Sequence, residues 1–358
     1  MSAIETIAGF ETRVLREVGN VRRIAPEWAD LWRRSPGATT FQRPEWLLPW
    51  IEVFSPREMV AIEVRHDGRL VGFAPMLIYT RETERVLAFM GGGVSDYLDV
   101  LVEPECELQV IESMLEAIKV VPNWTMIDLT DLPQDSVLLR WSMSGHISGH
   151  SVSQHDICSA LTLPRTRTEL LHLFSKRQRA NLRNARSRLQ KAGGGQVEIV
   201  TAETLAEFLE DLFRLHTSRW AHVGQAGVLR DHAIKAFHLA SAPDLFARGT
   251  LRLHRMRVSG QTVAVIYSLF DQETVFCYLQ GFDPDFADLS PGTQLMFSVM
   301  EDALERGILK FDFLRGQEAY KQHWRVQREP TYRVQFPFTA LSSDSPSGGS
   351  TPIGARAA

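Results

Sequence analysis

The chain has 358 residues, of which 44% are hydrophobic and 23% are charged, and its formal net charge at pH 7 is −4. This length predicts a folded protein of two domains, since one domain takes roughly 100–200 residues. The acidic balance disfavours a generally basic nucleic-acid-binding protein. The three cysteines are too scattered for a disulfide framework or a Cys-x-x-Cys metal site. No apolar run approaches the roughly 18 residues of a membrane span and no signal peptide is visible, so we expect a cytoplasmic protein.

The first half of the chain begins with a predicted β-hairpin and ends in a short strand. Two β-rich runs meet at Asp67-Gly68, where glycine accepts the positive φ of a tight turn. A third strand follows at 85–90, and then a helix over about 105–120. The last strand of this half, WTMIDL, contains Asp128.

The second half repeats this order of elements. Its hairpin turns at Ser259-Gly260, and a strand over 274–280, a helix over about 291–306 and the strand LKFDFL with Asp312 follow. The distance from hairpin glycine to aspartate is 60 residues in the first copy and 52 in the second, a difference that one loop accounts for. The repeat predicts two mixed α/β domains that are built alike.

We divide the chain into an amino-terminal domain at 1–163, a carboxyl-terminal domain at 164–340 and a tail at 341–358. The tail holds five Ser, three Gly and two Pro. Such a segment has too little apolar surface to offset the entropy of ordering it, so we expect it to be disordered.

Four segments of the second half form an ordered series of motifs: FSKRQRANLRNARSRLQKAGGG, VSGQTVAVIYSLF, YLQGFDPDFADLSPGTQLMFSVMEDALERGILKFDFLRG and EAYKQHW. They resemble the double-domain, FemAB-like branch of the GNAT acyltransferases, which includes bacterial proteins described as CelD-like in cellulose biosynthesis. The resemblance is strongest over 166–338 and weaker over 1–160. It implies an α/β fold of two tandem GNAT-like domains. It also implies acyl transfer to an amine from a CoA thioester or, in FemAB relatives, from aminoacyl-tRNA.

A CoA donor carries a pyrophosphate, and a helix amino terminus with free N–H groups binds such anions. The second repeat helix begins Ser290-Pro291-Gly292-Thr293-Gln294, with Ser290 as a candidate cap, and no acid follows before Glu301. We assign these five residues to the donor, although the same pattern is also an ordinary helix start.

The surrounding charges decide which half would bind the donor. Glu103, Glu105 and Glu107 crowd the start of the first repeat helix and would repel an anion. Asp283, Asp285 and Asp288 precede Ser290 and would weaken a phosphate site if they pointed toward it. We therefore expect one donor site, in the carboxyl-terminal half.

The segment FDFLRGQEAYKQHW concentrates groups that acyl transfer to an amine requires. We predict that Asp312 steers or deprotonates the acceptor amine, that Tyr320 protonates the leaving thiolate and that Lys321 stabilises the oxyanion. Arg315 is a predicted substrate-binding residue. Both Asp312 and Arg315 also have a structural interpretation. Asp312 would then cap the following turn, and Arg315 would form a salt bridge with Asp312.

Other residues have weaker support from the sequence alone. Glu318 and His323 are alternative bases. Asp96 and Tyr97 follow the glycine loop 91–93 and would bind the acceptor if the two domains face each other. The segment that holds His146, His150, His155 and Cys158 shows no second half-site for a metal ion, so we expect no metal cofactor.

Nine basic residues and one acid occupy 165–191, and Leu182, Ala185 and Leu189 form a narrow apolar stripe, so an amphipathic basic helix is predicted. It is either a solvated outer face or an anion site, and in the second case Arg179 and Arg183 bind a phosphorylated or nucleotide-linked acceptor, CoA or tRNA.

The sequence thus predicts an acyl-CoA N-acyltransferase whose acceptor is an amine, with a sugar amine or amino-acid-like acceptor of the cell envelope implied by the resemblance. Two alternatives remain open. The first is aminoacyl transfer from tRNA, disfavoured because only one long helix stands where FemAB relatives have a paired-helix arm. The second is a catalytically silent GNAT-shaped module that binds anions.

Overall fold

The computed structural model describes residues 3–7, 9–144, 149–316, 318 and 320–337. His146 and the tail predicted at 341–358 lie outside the described residues. None of the helices in these ranges has the length and apolarity that crossing a bilayer requires.

The described residues form strands and helices in the following order. The strands are β1 (Ala3–Ile7), β2 (Phe10–Leu15), β3 (Glu58–Met59), β4 (Ala61–His66), β5 (Arg69–Ala74), β6 (Met76–Arg81), β7 (Glu84–Phe89), β8 (Leu101–Val102), β9 (Met126–Leu132), β10 (Ser151–Thr162), β11 (Gln196–Ile199), β12 (Leu251–Val258), β13 (Gln261–Asp271), β14 (Thr274–Phe282), β15 (Lys310–Arg315) and β16 (Gln327–Pro337). The α-helices are α1 (Val18–Arg23), α2 (Ala25–Arg34), α3 (Pro44–Phe54), α4 (Glu107–Lys119), α5 (Val137–Met143), α6 (Arg167–Leu173), α7 (Lys176–Lys191), α8 (Leu205–His222), α9 (His232–Ala247) and α10 (Pro291–Glu305).

The predicted hairpins and repeat helices are confirmed. Asp67 and Gly68 have φ of 50° and 77°, and Ser259 and Gly260 have φ of 49° and 83°, so both turns use the left-handed region. The helix α4 starts two residues after the predicted start, because Pro104–Cys106 forms a separate 3-10 turn. The helix α10 begins at Pro291 as predicted.

Two sheets organise the chain. The smaller has the order β1-β2-β4-β5-β8, and the larger has the order β11-β12-β13-β14-β15-β10-β16-β9-β7-β6-β3. Helices pack on these sheets, which gives the predicted mixed α/β fold.

The two halves differ in the second strand of the hairpin. In the second half β13 runs unbroken from Gln261 to Asp271. In the first half Pro75 separates β5 from β6, and these two strands belong to different sheets. The break follows from proline, which has no N–H to donate to a ladder.

Two long strands join the halves into one sheet. β10 pairs with β15 of the second half and with β16, and β16 also pairs with β9 of the first half. The last described strand therefore returns to the middle of the larger sheet. The proposed division at 163/164 falls at the end of β10.

A shared aromatic core also lies between the halves. The Trp46 ring of α3 packs edge-on against Phe237 of α9 at 4.8 Å and against Tyr278 of β14 at 5.3 Å. Trp46 is fully buried, and its Nε1 donates to the Ser95 hydroxyl at 3.0 Å. This packing brings the loop after β7 against the second half.

Candidate active site

The central feature of the second half is a pair of parallel strands that separate. β14 and β15 pair only from Thr274–Phe276 to Lys310–Asp312, and beyond these residues they diverge. The register of β13 and β14 shifts between Tyr267 and Ser268, which leaves Tyr278 as an extra residue of β14. Such a bulge bends the strand and frees backbone groups from the ladder.

A cavity of about 480 Å³ lies in the gap between the diverging strands, and we call it the splay cavity. Its walls are Cys277–Gln280 of β14, Phe313–Arg315 of β15, the side chains of α8 and the loop after it, Asp96, and the segment that holds Glu318, Tyr320 and Lys321. The cavity size lies in the range that small ligands occupy.

Helix α8 forms one wall because glycine allows it to approach β14. A Cβ at Gly281 would lie 2.4 Å from the His216 amide nitrogen and 2.6 Å from the Leu215 carbonyl carbon. This contact brings His216, Arg219 and Trp220 to the cavity. Burial lowers the pKa of His216 to about 4, so its imidazole is neutral near pH 7.

The matching gap in the first half is filled by the chain itself. β7 and β9 pair only from Val86–Leu87 to Met126–Ile127. The Leu98 amide then donates to the Asp131 carbonyl at 3.0 Å, and Leu98 is buried in the core there. In this half the chain segment at Leu98 thus lies beside β9 where the two strands diverge.

Asp312 lies beside the loop that carries Asp96 and Tyr97. Its carboxylate accepts hydrogen bonds from the Tyr97 hydroxyl at 2.8 Å and from the Leu314 amide at 2.7 Å. The residue is fully buried, and desolvation raises its pKa to about 6, although Lys310 opposes the shift. The structure thus brings the predicted residues Asp312 and Tyr97 together.

Arg315 and Asp96 form an ion pair at the rim of the splay cavity. The Arg315 Nε is 2.8 Å from Asp96 Oδ1, and its other nitrogens contact Asp131 at 3.3 Å and the Ser95 carbonyl at 2.8 Å. Burial raises the pKa of Asp96 to about 6, and the guanidinium of Arg315 offsets part of this. The structural alternative for Arg315 was a pair with Asp312, and its partners are Asp96 and Asp131 instead.

Tyr320 and Lys321 both line the splay cavity but differ in what their polar atoms do. The Tyr320 hydroxyl accepts from Gln280 at 2.5 Å, and burial raises its pKa well above the usual value, so it holds its proton at neutral pH. The Lys321 ammonium donates to the carbonyls of Leu314, Arg315 and Gly316 and pairs with Glu318. Lys321 is only 3% exposed.

Ser290 stands at the N-cap position of α10, as predicted. It has φ of 52°, and its side chain makes no cap hydrogen bond. Its hydroxyl accepts instead from Arg188 of α7 at 3.4 Å, and the same guanidinium donates to the Asp288 carbonyl at 2.8 Å. No side-chain cap therefore covers the first N–H groups of α10, and a cation lies beside them.

The other residues of this helix start have separate environments. Pro291 is buried, Gly292 is half-buried and Thr293 is exposed. The Gln294 side chain donates to the Leu182 carbonyl at 2.9 Å and thereby ties α10 to α7. None of the residues from Ser290 to Gln294 is among those that line the splay cavity.

The aspartates before α10 do not all point toward its start. Asp283 accepts from the Asp285 amide at 3.1 Å and from Gln261 at 3.2 Å, so it closes its own turn. Asp285 and Asp288 are exposed.

The predicted basic helix is α7, and Ala185 and Leu189 are its buried residues. Arg179 donates to the carbonyls of Leu171 and Phe174, at the end of α6, at 3.4 and 3.0 Å. Arg183 is exposed on the outer side. Neither residue lines the splay cavity.

The remaining candidates lie at different places. Glu318 lines the splay cavity, whereas His323 is exposed and accepts a hydrogen bond from Gln178 through its carbonyl. His155 lies 3.7 Å from Asp131, and Cys158 is buried. Within the described ranges no group of His, Cys, Asp or Glu side chains could hold a metal ion.

Sequence reasoning missed the side chains of α8. His216, Arg219 and Trp220 carry no motif, and only packing brings them to the cavity. The one signal was Gly281, since a glycine inside a strand often marks a close backbone approach.

Comparison with known proteins identifies a similar family for part of the chain. Residues 176–322 match the family described as "Acetyltransferase (GNAT) domain". A search of curated proteins found no match.

Solved structures share the fold over nearly the whole chain. FemX is 14% identical, with a TM-score of 0.63 over 86% of this chain and 95% of FemX. The C-terminal domain (DUF2156) of a protein described as a lysylphosphatidylglycerol synthetase, from Agrobacterium fabrum, is 13% identical, with a TM-score of 0.56 over 88% of this chain and 91% of that domain. The structure of L-PGS from Bacillus licheniformis is 11% identical, with a TM-score of 0.54 over 86% of this chain and 90% of that one. At these identities the likeness establishes the fold. The chain therefore shares the mixed α/β fold of these structures, and residues 176–322 of its carboxyl-terminal half are similar to the acetyltransferase (GNAT) domain family.

Proposed function

We propose that the protein transfers an acyl group from a CoA thioester, with acetyl-CoA as the reference donor, to an amine. The observation that carries this proposal is the splay cavity, which lies between diverging parallel strands of the half that matches the acetyltransferase family. In the first half, Leu98 is buried beside β9 where the equivalent strands diverge.

The amino end of α10 suits the donor pyrophosphate. Its first N–H groups have no side-chain cap, and Arg188 adds a positive charge next to Ser290. Asp283 is engaged in its own turn and does not occupy this place. The chain between β14 and α10 connects a wall of the splay cavity to this end.

The reaction forms a carbon–nitrogen bond and breaks the carbon–sulfur bond of the thioester. The bulge at Tyr278 provides a backbone N–H for the oxyanion that develops on the thioester carbonyl. Tyr320 is protonated and faces the cavity, so it donates a proton to the leaving thiolate. Asp96 has a pKa of about 6 and accepts the proton that the amine loses.

Lys321 and Asp312 act as positioning residues in this proposal. The Lys321 ammonium is committed to three backbone carbonyls and to Glu318, so it holds the end of β15 in place. Asp312 fixes the Tyr97 hydroxyl and thereby the loop that carries Asp96. A sugar amine or an amino-acid-like acceptor, as in CelD-like envelope polysaccharide synthesis, is the acceptor class that the motif resemblance favours, in the cytoplasm.

A second candidate function is aminoacyl transfer from tRNA. It is favoured by the fold shared with FemX and by α7, which holds seven cations and no acid. The exposed cations of this helix, Arg183 among them, suit a phosphate backbone.

Thermal unfolding with and without donors tests the first candidate. Acetyl-CoA at 100 times its Kd should stabilise the protein by about 2.7 kcal/mol, because it binds only the folded state. Tyr320→Phe should bind acetyl-CoA normally and turn over amines more slowly. Absence of a shift with any CoA thioester, together with salt-sensitive binding of tRNA, would instead support the second candidate.

A further inference from the structure

A second large cavity lies where the two halves meet. It has a volume of about 890 Å³, and we call it the interdomain cavity. Its walls come from the loop 37–39, from 133–135 after β9, from the turn between β13 and β14, and from 327–330 of β16. Asp312 and Tyr97 also line it, whereas Asp96 lines the splay cavity, so one loop separates the two cavities.

The charge of this cavity is strongly one-sided. Five carboxylates line it: Asp135, Asp271, Glu273, Asp312 and Glu329. The two cations are Lys310 and Arg328, and Lys310 is paired with Glu329 at 2.6 Å. An excess of acids in a concave site concentrates positively charged ligands.

One of these carboxylates has an unused oxygen. Asp271 is 8% exposed, and its Oδ1 accepts from the Gln272 amide at 2.8 Å. Its Oδ2 makes no hydrogen bond of normal geometry among the described residues, although the Thr40 amide lies close enough to favour the charged carboxylate. A buried carboxylate oxygen without a partner is costly, and a cationic donor would remove that cost. Burial raises the pKa of Asp271 to about 6, because the Gln272 amide, the charge of Arg43 and the Thr40 amide offset desolvation only in part.

The spacing of the acids argues against a single metal ion. No set of three or more acidic, His or Cys side chains in the described residues could hold one. The acids come from separate elements of both halves, so a ligand that satisfies several of them must spread its positive charge along its length.

From this geometry we propose that the interdomain cavity binds a linear organic diamine or polyamine, with one ammonium group at Asp271. The cavity is large enough for such a chain, since ligand sites range from about 300 to 1,000 Å³. This inference goes beyond acyl transfer and does not depend on the identity of the donor.

Calorimetric titration with 1,4-diaminobutane and with n-butylamine tests the proposal on the full chain at pH 7.5 and low salt. The diamine should bind at least about tenfold more tightly than the monoamine, since a charged hydrogen bond contributes about 1.5–3 kcal/mol and 1.4 kcal/mol is a factor of ten. Asp271→Asn should weaken diamine binding about tenfold. The exposed Glu273→Gln should weaken it about two- to threefold.

Asp67→Asn is the matched control, because Asp67 is 91% exposed and lies in the hairpin turn of the first half. It removes the same charge and should leave the diamine affinity unchanged. Equal affinities for the diamine and the monoamine would overturn the proposal, as would an equal loss in all three variants. If Asp271→Asn does not fold, the diamine affinities of Glu273→Gln and Asp67→Asn are compared instead, and equal affinities overturn the proposal. If the wild-type protein binds acetyl-CoA but not the diamine, only this inference is refuted. If it binds the diamine but no CoA thioester, only acyl transfer from CoA is refuted.

Discussion

Replacement of Gly281 by alanine tests whether α8 packs directly on β14. The new Cβ would lie 2.4 Å from the His216 amide nitrogen, 2.6 Å from the Leu215 carbonyl carbon and 2.9 Å from the Leu215 Cβ. Two of these atoms are backbone, so the helix itself must move. Reaching an ordinary contact of 3.4 Å from 2.4 Å requires a shift of about 1 Å. Overpacking of this kind costs about 3 kcal/mol.

Urea unfolding of Gly281→Ala should therefore show a free energy of unfolding lowered by about 3 kcal/mol, and a melting temperature lowered by roughly 6–12 °C. The stabilisation by acetyl-CoA should shrink too, since α8 carries three residues of the splay cavity wall. Gly292→Ala is the matched control, because its Cβ would meet only Phe282 Cδ1 at 3.9 Å. It should be neutral or stabilising by up to about 1 kcal/mol. A Gly281→Ala protein as stable as wild type would refute the packing of α8 described above.

Three further predictions concern single side chains. Lys321→Ala should lower the free energy of unfolding in urea by about 3 kcal/mol, because three backbone carbonyls lose their ammonium donor. A smaller loss of unfolding free energy in Lys321→Ala than in Tyr320→Phe would contradict the positioning role. Asp302 pairs with Arg252 and His254. These contacts hold its pKa below the usual value even though burial opposes the shift. The contribution of Asp302 to the free energy of unfolding is therefore present above pH 4 and is lost as the pH falls further. Asp302→Asn should therefore be less stable at pH 7 and change less than wild type below pH 4 in acid titration followed by circular dichroism; parallel curves would contradict this. The raised pKa of Asp271 affects the pH dependence of stability in the opposite direction. The stability that is present below pH 4 is lost as the pH rises through about 6. Asp271→Asn should flatten the decline of unfolding free energy between pH 4 and 7 by up to about 3 kcal/mol, and an unchanged slope would show that this carboxylate does not titrate as described.

Several features of the fold could be predicted because neighbouring residues carry them. The turn at Asp67-Gly68 follows from the positive φ that glycine accepts, and the spacing of apolar residues predicted α10. The acids at the start of α4 predict that this half binds no donor, and this stays a prediction. In the structure Glu103 pairs with Arg34 and Arg69, and the chain fills the nearby gap. Such signals are local, so no partner far along the chain is needed to interpret them.

Other features depended on contacts that form only in the folded chain. The lysine in EAYKQHW looked free to bind an oxyanion, yet three carbonyls of the strand end occupy it. Ser290 matched a cap by type, but Arg188 of another helix takes its hydroxyl. The break at Pro75 could have been anticipated from its missing N–H, whereas the transfer of β6 to the larger sheet could not.

By itself, the sequence determined the repeated α/β plan and the basic helix, because turn chemistry, periodicity and charge act over a few neighbouring residues. Only the tertiary structure decided where β14 and β15 separate, which side chains of α8 enter the gap and how two halves enclose an acidic cavity. Those outcomes depend on packing and strand pairing between segments that are distant in sequence, as when Tyr97 meets Asp312. Burial then sets the charge state of the groups brought together, and no local pattern contains that information.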